Sequence, residues 1–405
     1  MPDAPHSNTT GNATSAISGH FDTRTAAMEV AESLHAGLSG GDSGGGCDLV
    51  IMFASFHHAA AFSEASEVIR STLNPKVMMG VTAESVLGGD DELEGAAGLS
   101  ALALRLPGTK LHPFTFSPND PLPLSNPTQI PECIGLTDDH RVTLLLADPF
   151  TTPVTRFLPA FNACGHDRPI PIVGGMASGG SQPGYNRILC NEQVMNAGGV
   201  GVNISGDIGV DFIVSQGCRP IGNPMVITKS ENHVILELGG RPAMEMVKKT
   251  AESLPDHEKK MLTHGLLLGT VINEYKDHQG RGDFLIRNVL GFDEKRGGLL
   301  AGEQSNVGQT IQLQVRDAKT ASEDLQLLLD AQQLHQPPFG ALLFTCNGRG
   351  QRLFGKPNHD LEMIHNRLGD VPTAGFFCAG EIGPIGDQSF LHGHTASLVV
   401  FREPS

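Results

Sequence analysis

The chain has no tryptophan and only two tyrosines in 405 residues. Sugar platforms and base-stacking surfaces are built on such rings, so both are poorly supplied. Positive charge is also scarce: 28 Lys and Arg stand against 44 Asp and Glu, a formal net charge of −16, with no basic stripe. This argues against nucleic-acid backbones and anionic membrane surfaces as partners. Apolar runs stop at strand length, well short of the ~20 residues of a spanning helix, so no membrane insertion is expected. The seven cysteines follow no framework of spacings, and their number is odd. A reducing, cytoplasmic location is expected, with the thiols packing as small apolar groups. His392 and His394 stand near the end of the chain without CxxC or HxxxH spacing, so no metal or other cofactor is expected.

What the sequence does contain is one pattern written three times. An apolar strand is followed by a second strand carrying glycine and small residues, then by a third apolar strand. The copies cover residues 48–54, 77–84 and 99–104; 142–147, 170–178 and 199–204; and 341–345, 372–381 and 395–400. Gly80, Gly174 and Gly375 fall at the same place, each followed three residues later by a small residue: Ala83, Ala177 or Cys378. Glycine in a strand permits close approach of another backbone or a ligand. Residues 59–73 and 357–368 have helical periodicity, so each unit reads strand–helix–strand–strand, the first two strands parallel. The expected fold class is α/β (α+β), with repeated βαββ units forming mixed sheets flanked by helices.

Residues 1–20 are polar and read as a disordered tail, with a lead-in to about residue 30, and Ala26, Val30 and Leu34 give residues 23–36 helical spacing. The Gly/Ser run 37–46 reads as a flexible loop. Between copies two and three, segments 234–238, 266–274, 284–289, 298–301 and 310–315 read as strands, mostly an antiparallel meander. Residues 241–249, the segment after 252 and 321–334 read as helices. A domain boundary is placed near 230–240.

Three turns carry candidate chemistry. Cys346, Asn347 and Arg349 follow a core strand, and the guanidinium suits a carboxylate or phosphate. Cys378, Gly380 and Glu381 lie in the densest small-residue turn, where Glu381 suits an ammonium or hydroxyl group. In a βαβ unit these turns fall at adjacent strand ends, the usual place for a ligand. Cys218 beside Arg219 is a candidate activated thiol, though no companion base accompanies it.

The segments 49–55, 79–84 and 215–222, with 284–288, 346–350, 375–383 and His394-Thr395, resemble the FIST family. A FIST N domain would cover about residues 31–230 and a FIST C domain about 235–402. The resemblance implies a sensory module for a small ligand, an amino acid or a relative, acting in signal transduction. No output region accompanies the match, so an unidentified separate signalling partner is implied. The family assigns no catalytic residues, and the expected ligand-binding residues are Cys346, Asn347, Arg349, Cys378, Gly380, Glu381 and His394. The expected function is therefore non-enzymatic. The rival is a thiol-dependent hydrolase or transferase using Cys346, Cys378 or Cys218.

Overall fold

Three six-stranded sheets repeat one strand order, and the computed structural model describes them within residues 10–39, 46–164, 168–262, 265–276, 279–280 and 282–404. In copy one the first strand, Leu49–Ser55, lies parallel to the second, Val77–Ala83, and antiparallel to the third, Leu99–Arg105. Copy two places His140–Ala147 between Ile172–Met176 and Gly199–Gly206 in the same way. Copy three does so with Gly340–Cys346, Thr373–Cys378 and Thr395–Arg402. Parallel neighbours need a crossover, supplied by the helices Phe62–Leu73, Val154–Cys164 and His359–Leu368. The third strands take outer partners: Asn12–Ser18, Thr109–Phe116 and Gly209–Gln216.

The other edge of each sheet is closed by a hairpin lent by a different copy. The hairpin after copy one's second strand, Val86–Gly88 and Asp91–Leu93, pairs with copy three. Copy two's, Ile188–Cys190 and Gln193–Met195, pairs with copy one. Copy three's, Glu381–Ile385 and Gln388–His392, pairs with copy two. The exchange is cyclic, so no sheet is complete without another copy.

The three glycines perform one task. Gly80, Gly174 and Gly375 stand in register with Met52, Leu145 and Leu343 on the neighbouring parallel strand. A Cβ there would lie 2.5, 1.9 and 1.8 Å from those residues' carbonyl oxygens. The inner faces of the sheets share one core that includes Ile51, Phe53, Leu144, Leu146, Leu342 and Phe344. Phe53 stacks on Phe376 at 5.1 Å, which joins copies one and three. Val30, Leu34, Phe62 and Ile69 of two helices cover the outer face of copy one.

The expected disordered tail is corrected by the structure. Thr23–Ser39 is the helix expected over residues 23–36, but Asn12–Ser18 is a strand paired antiparallel with copy one's third strand. Its Asn, Ser and Thr content hid it, because an edge strand buries few side chains and needs little apolar character. Residues 1–9 of the tail, and 40–45 of the Gly/Ser run, lie outside the described residues.

By packing, the chain divides into two units. One holds the three copies: residues up to Val214, Leu328–Leu391 and from Ala396 onward. The other is Ser215–Leu327 with His392–Thr395. The first unit thus draws on both segments, 31–230 and 235–402. The second unit's main element is a seven-stranded sheet ordered Cys218–Glu231, Thr310–Arg316, Leu266–Val271, Phe284–Asp293, Gly298–Ala301, Val234–Leu238 and Arg241–Pro242. Among the described residues no helix is long and apolar enough to cross a membrane.

Candidate functional site

The repeat makes copy three's peculiarities visible, because each position has two counterparts. The residues at the carboxyl end of the first strands are Ser55, Asp148 and Cys346; those at the end of the second are Ala83, Ala177 and Cys378. In the lent hairpins, Leu87, Leu189 and Ile382 face the three glycines, so the residues just before them also match: Val86, Ile188 and Glu381. Glu381 therefore puts a carboxylate where the other copies bury an aliphatic side chain, and it is fully buried. Burying a charge is costly, so such a position needs a reason beyond packing.

The residue paired with it makes room for a thiol. Gly175 stands in register with Glu381, and a Cβ on Gly175 would lie 2.4 Å from the Cys378 sulfur. Burial pushes the Cys378 thiol well above its ordinary pKa, and the charge of Glu381 adds to this, as does Cys346. Cys346 is in register with Cys378, is half-buried, and its sulfur accepts the Gly348 N–H at 3.4 Å. Asn347 donates its backbone N–H to the Cys378 carbonyl at 3.0 Å, and Gly380 accepts from Met176 N at 2.8 Å. Ser178 accepts from Glu84 N and donates its hydroxyl to the Phe377 carbonyl, so strand ends of all three copies meet here. Cys346, Asn347, Cys378, Gly380 and Glu381 are thus brought together.

Arg349 is placed differently from the expectation that it faces a ligand. The carboxylate it holds is the protein's own: its Nε and Nη2 donate to Asp360 at 2.8 and 2.9 Å, and it is fully buried. Its guanidinium lies 5.2 Å from the Phe354 ring centre, and that ring stacks on His359. Thr345 and His359 also bond Asp360, at 3.1 and 2.9 Å. Burial alone would raise the Asp360 carboxyl, but the Arg349 charge and these bonds hold it well below the usual range.

Copy one's hairpin reaches into this assembly. Glu92 accepts the backbone N–H groups of Asp360 and Leu361, both at 3.1 Å, at the start of the helix His359–Leu368. Glu94 accepts from Gln351 N at 2.9 Å. Burial, then the nearby Asp360 charge, pushes Glu92 up to about 8. An acid raised in this way favours the fold fully below its unfolded value, near 4.5, and that contribution is lost as pH rises to about 8. Glu92→Gln keeps an acceptor for both N–H groups without the charge. It is expected to gain roughly 1–3 kcal/mol over the natural chain at pH 8.5 and nothing at pH 4, read by denaturant melts. Equal stabilities at both pH values would contradict this.

His394 belongs to the second unit, where its Nε2 lies 3.0 Å from Asn288 Oδ1. Burial, helped by the charge of Arg316, lowers its pKa to about 4. Cys218 is buried at the start of a strand in the same unit, and Arg219 beside it is turned to Glu258 at 2.6 Å. All seven cysteines are free thiols. Cavities of about 310 and 370 Å³ occur in the first unit, one beside Leu106 and Arg402, the other beside Phe116 and Phe157. Neither is lined by the copy-three cluster.

Sequence reasoning missed Asp360, Glu92 and Glu94. Asp360 had a signal, an acid in the first turn of a helix beginning after Pro357. The other two had none, because their partners lie in another copy.

The FIST N domain family matches residues 48–241, and the FIST C domain family matches residues 243–384. An uncharacterised protein of Mycobacterium tuberculosis strain H37Rv is 37% identical over 388 residues, covering 94% of this chain and 97% of its own. An uncharacterised protein of Mycobacterium bovis is 36% identical over 397 residues, covering 94% and 96%. Among solved structures, a cyanuric acid hydrolase from A. caulinodans aligns over 98% of this chain and 100% of its own, at 8% identity and a TM-score of 0.34. That likeness carries no argument about chemistry. The chain belongs to the FIST family of sensory domains, with a FIST N and a FIST C domain together spanning most of its length.

Proposed function

We propose that the chain is a cytoplasmic, non-enzymatic sensor that binds a small polar metabolite, an amino acid or a relative, and signals through a separate protein. The observation that carries this reading is Glu381, a buried carboxylate at a position filled by Val86 and Ile188 in the other copies. Buried ionisable groups are costly and gather at functional sites. A buried carboxylate flanked by two thiols suits the ammonium or hydroxyl end of a ligand. The free thiols agree with a reducing compartment.

The rival thiol-dependent hydrolase or transferase draws support from Cys346, half-buried at a strand end with a backbone N–H on its sulfur. Cys378, raised and buried, is a poor nucleophile. A thermal-shift screen over amino acids, organic acids and nucleosides tests the sensor reading. A saturable stabilisation by one class, without conversion of the compound, is the expected result. Turnover abolished by Cys346→Ser would instead establish the enzyme.

A further inference from the structure

We propose that copy two's long connection and copy one's first turn form a slot for a planar, uncharged heteroaromatic ring of the nucleobase type. The connections from second strand to lent hairpin are residues 84–85 in copy one and 379–380 in copy three, but 177–187 in copy two. A connection that outgrows its two counterparts is where function is expected. It carries Tyr185, whose ring is parallel to that of Phe56 within 10°, the centroids 6.4 Å apart. Phe56 is the first residue after copy one's first strand, so the lent hairpin brings the two rings together.

Neither ring is covered by the other: Phe56 is 44% and Tyr185 48% exposed. The separation is towards the long end of the roughly 4.5–7 Å range of direct pairs, so a small opening of the two rings gives the about 7 Å that an inserted ring needs, at about 3.5 Å per face. Both walls are firmly mounted. Arg187 Nη1 donates to the carbonyls of Gly184 and Asn186, each at 2.9 Å, and of Tyr185 at 3.3 Å. Buried Asn186 accepts Gly180 N at 2.7 Å and donates to Asp148 at 2.8 Å. A Cβ on Gly180 would lie 2.6 Å from that of Tyr185, so glycine there is what lets the loop close. On the other wall Ser55 N donates to Gly98 O at 2.7 Å.

The exposed imidazole of His57 follows Phe56, meets Ser55 Oγ at 3.3 Å, and takes the Phe21 ring edge-on. It offers a polar edge beside the slot, which suits ring nitrogens and carbonyls. Arg187 Nη1 is committed to the loop, and the chain carries −16, so a phosphorylated ligand is disfavoured against a free base or nucleoside.

The tyrosine count makes a clean test possible, since Tyr185 and Tyr275 are the only two. Protein made with 3-fluorotyrosine gives two 19F resonances, assigned with Tyr275→Phe, and is titrated with adenine. The Tyr185 resonance is expected to shift saturably while that of Tyr275, 97% exposed, stays still. Phe56→Ala, at a residue that is 44% exposed, should weaken adenine at least tenfold with the circular dichroism spectrum unchanged. Equal movement of both resonances, an equal shift with cyclohexanediol, or unchanged affinity in Phe56→Ala would each overturn the proposal.

Discussion

Replacing Arg349 with alanine is expected to cost about 3–5 kcal/mol of folding stability, because it strands a carboxylate that the fold has buried and surrounded. Asp360 is 2% exposed and accepts two guanidinium bonds, with Thr345 and His359 also against it. Without the arginine it must ionise unpaired or take up a proton, and either route favours the unfolded chain. Because Asp360 is held below its ordinary value of 3.8, the pair's contribution is present above that pH and lost as pH falls below it. Arg349→Met with Asp360→Leu removes both charges and should recover most of the loss. Urea melts of the single and double variants check this; a single variant within 1 kcal/mol of the natural chain, as an order of magnitude, would contradict it.

The second large effect falls on the repeated glycines. Gly375→Ala is expected to cost roughly 3 kcal/mol or more, since its Cβ would meet the Leu343 carbonyl oxygen at 1.8 Å. Gly174→Ala, at 1.9 Å, should do the same, and Gly80→Ala, at 2.5 Å, should cost less. The carbonyls they meet belong to strands paired on both sides, which cannot move without breaking a ladder. Gly46→Ala, with nothing within 4 Å, is the neutral control. Chemical denaturation that ranked the three variants with the control would show that the glycines do not set strand spacing.

That spacing is also why so much of the fold was legible. Gly80, Gly174 and Gly375 recur because one close approach recurs, and the strand and helix periods around them follow. The cyclic exchange of hairpins was not legible, since sequence order favours pairing with the nearest strand and Val86–Gly88 passes instead to copy three. Nor was the strand Asn12–Ser18, whose short polar side chains look like those of a tail. The turns already placed Cys346, Cys378 and Glu381 side by side, as the structure does, but Arg349 was expected to face a ligand. Its partner Asp360 lies on the next crossover helix, and only tertiary packing turns the guanidinium inward. His394 was grouped with them through the family resemblance, whereas it packs in the second unit beside Asn288. The meaning of Glu381 emerges once the hairpins are matched, when Val86 and Ile188 become its counterparts.

The central claim is that this departure from the repeat exists to hold a ligand. Calorimetric titration of the compound found by thermal shift, into the natural chain and into Glu381→Val, tests it most directly. Valine is what copy one carries at this position, so the site loses its carboxylate while keeping a side chain the architecture already uses. Folded Glu381→Val that binds at least thirtyfold more weakly, as the loss of one charge-assisted contact implies, is the predicted result. Undiminished binding by folded Glu381→Val would contradict the account.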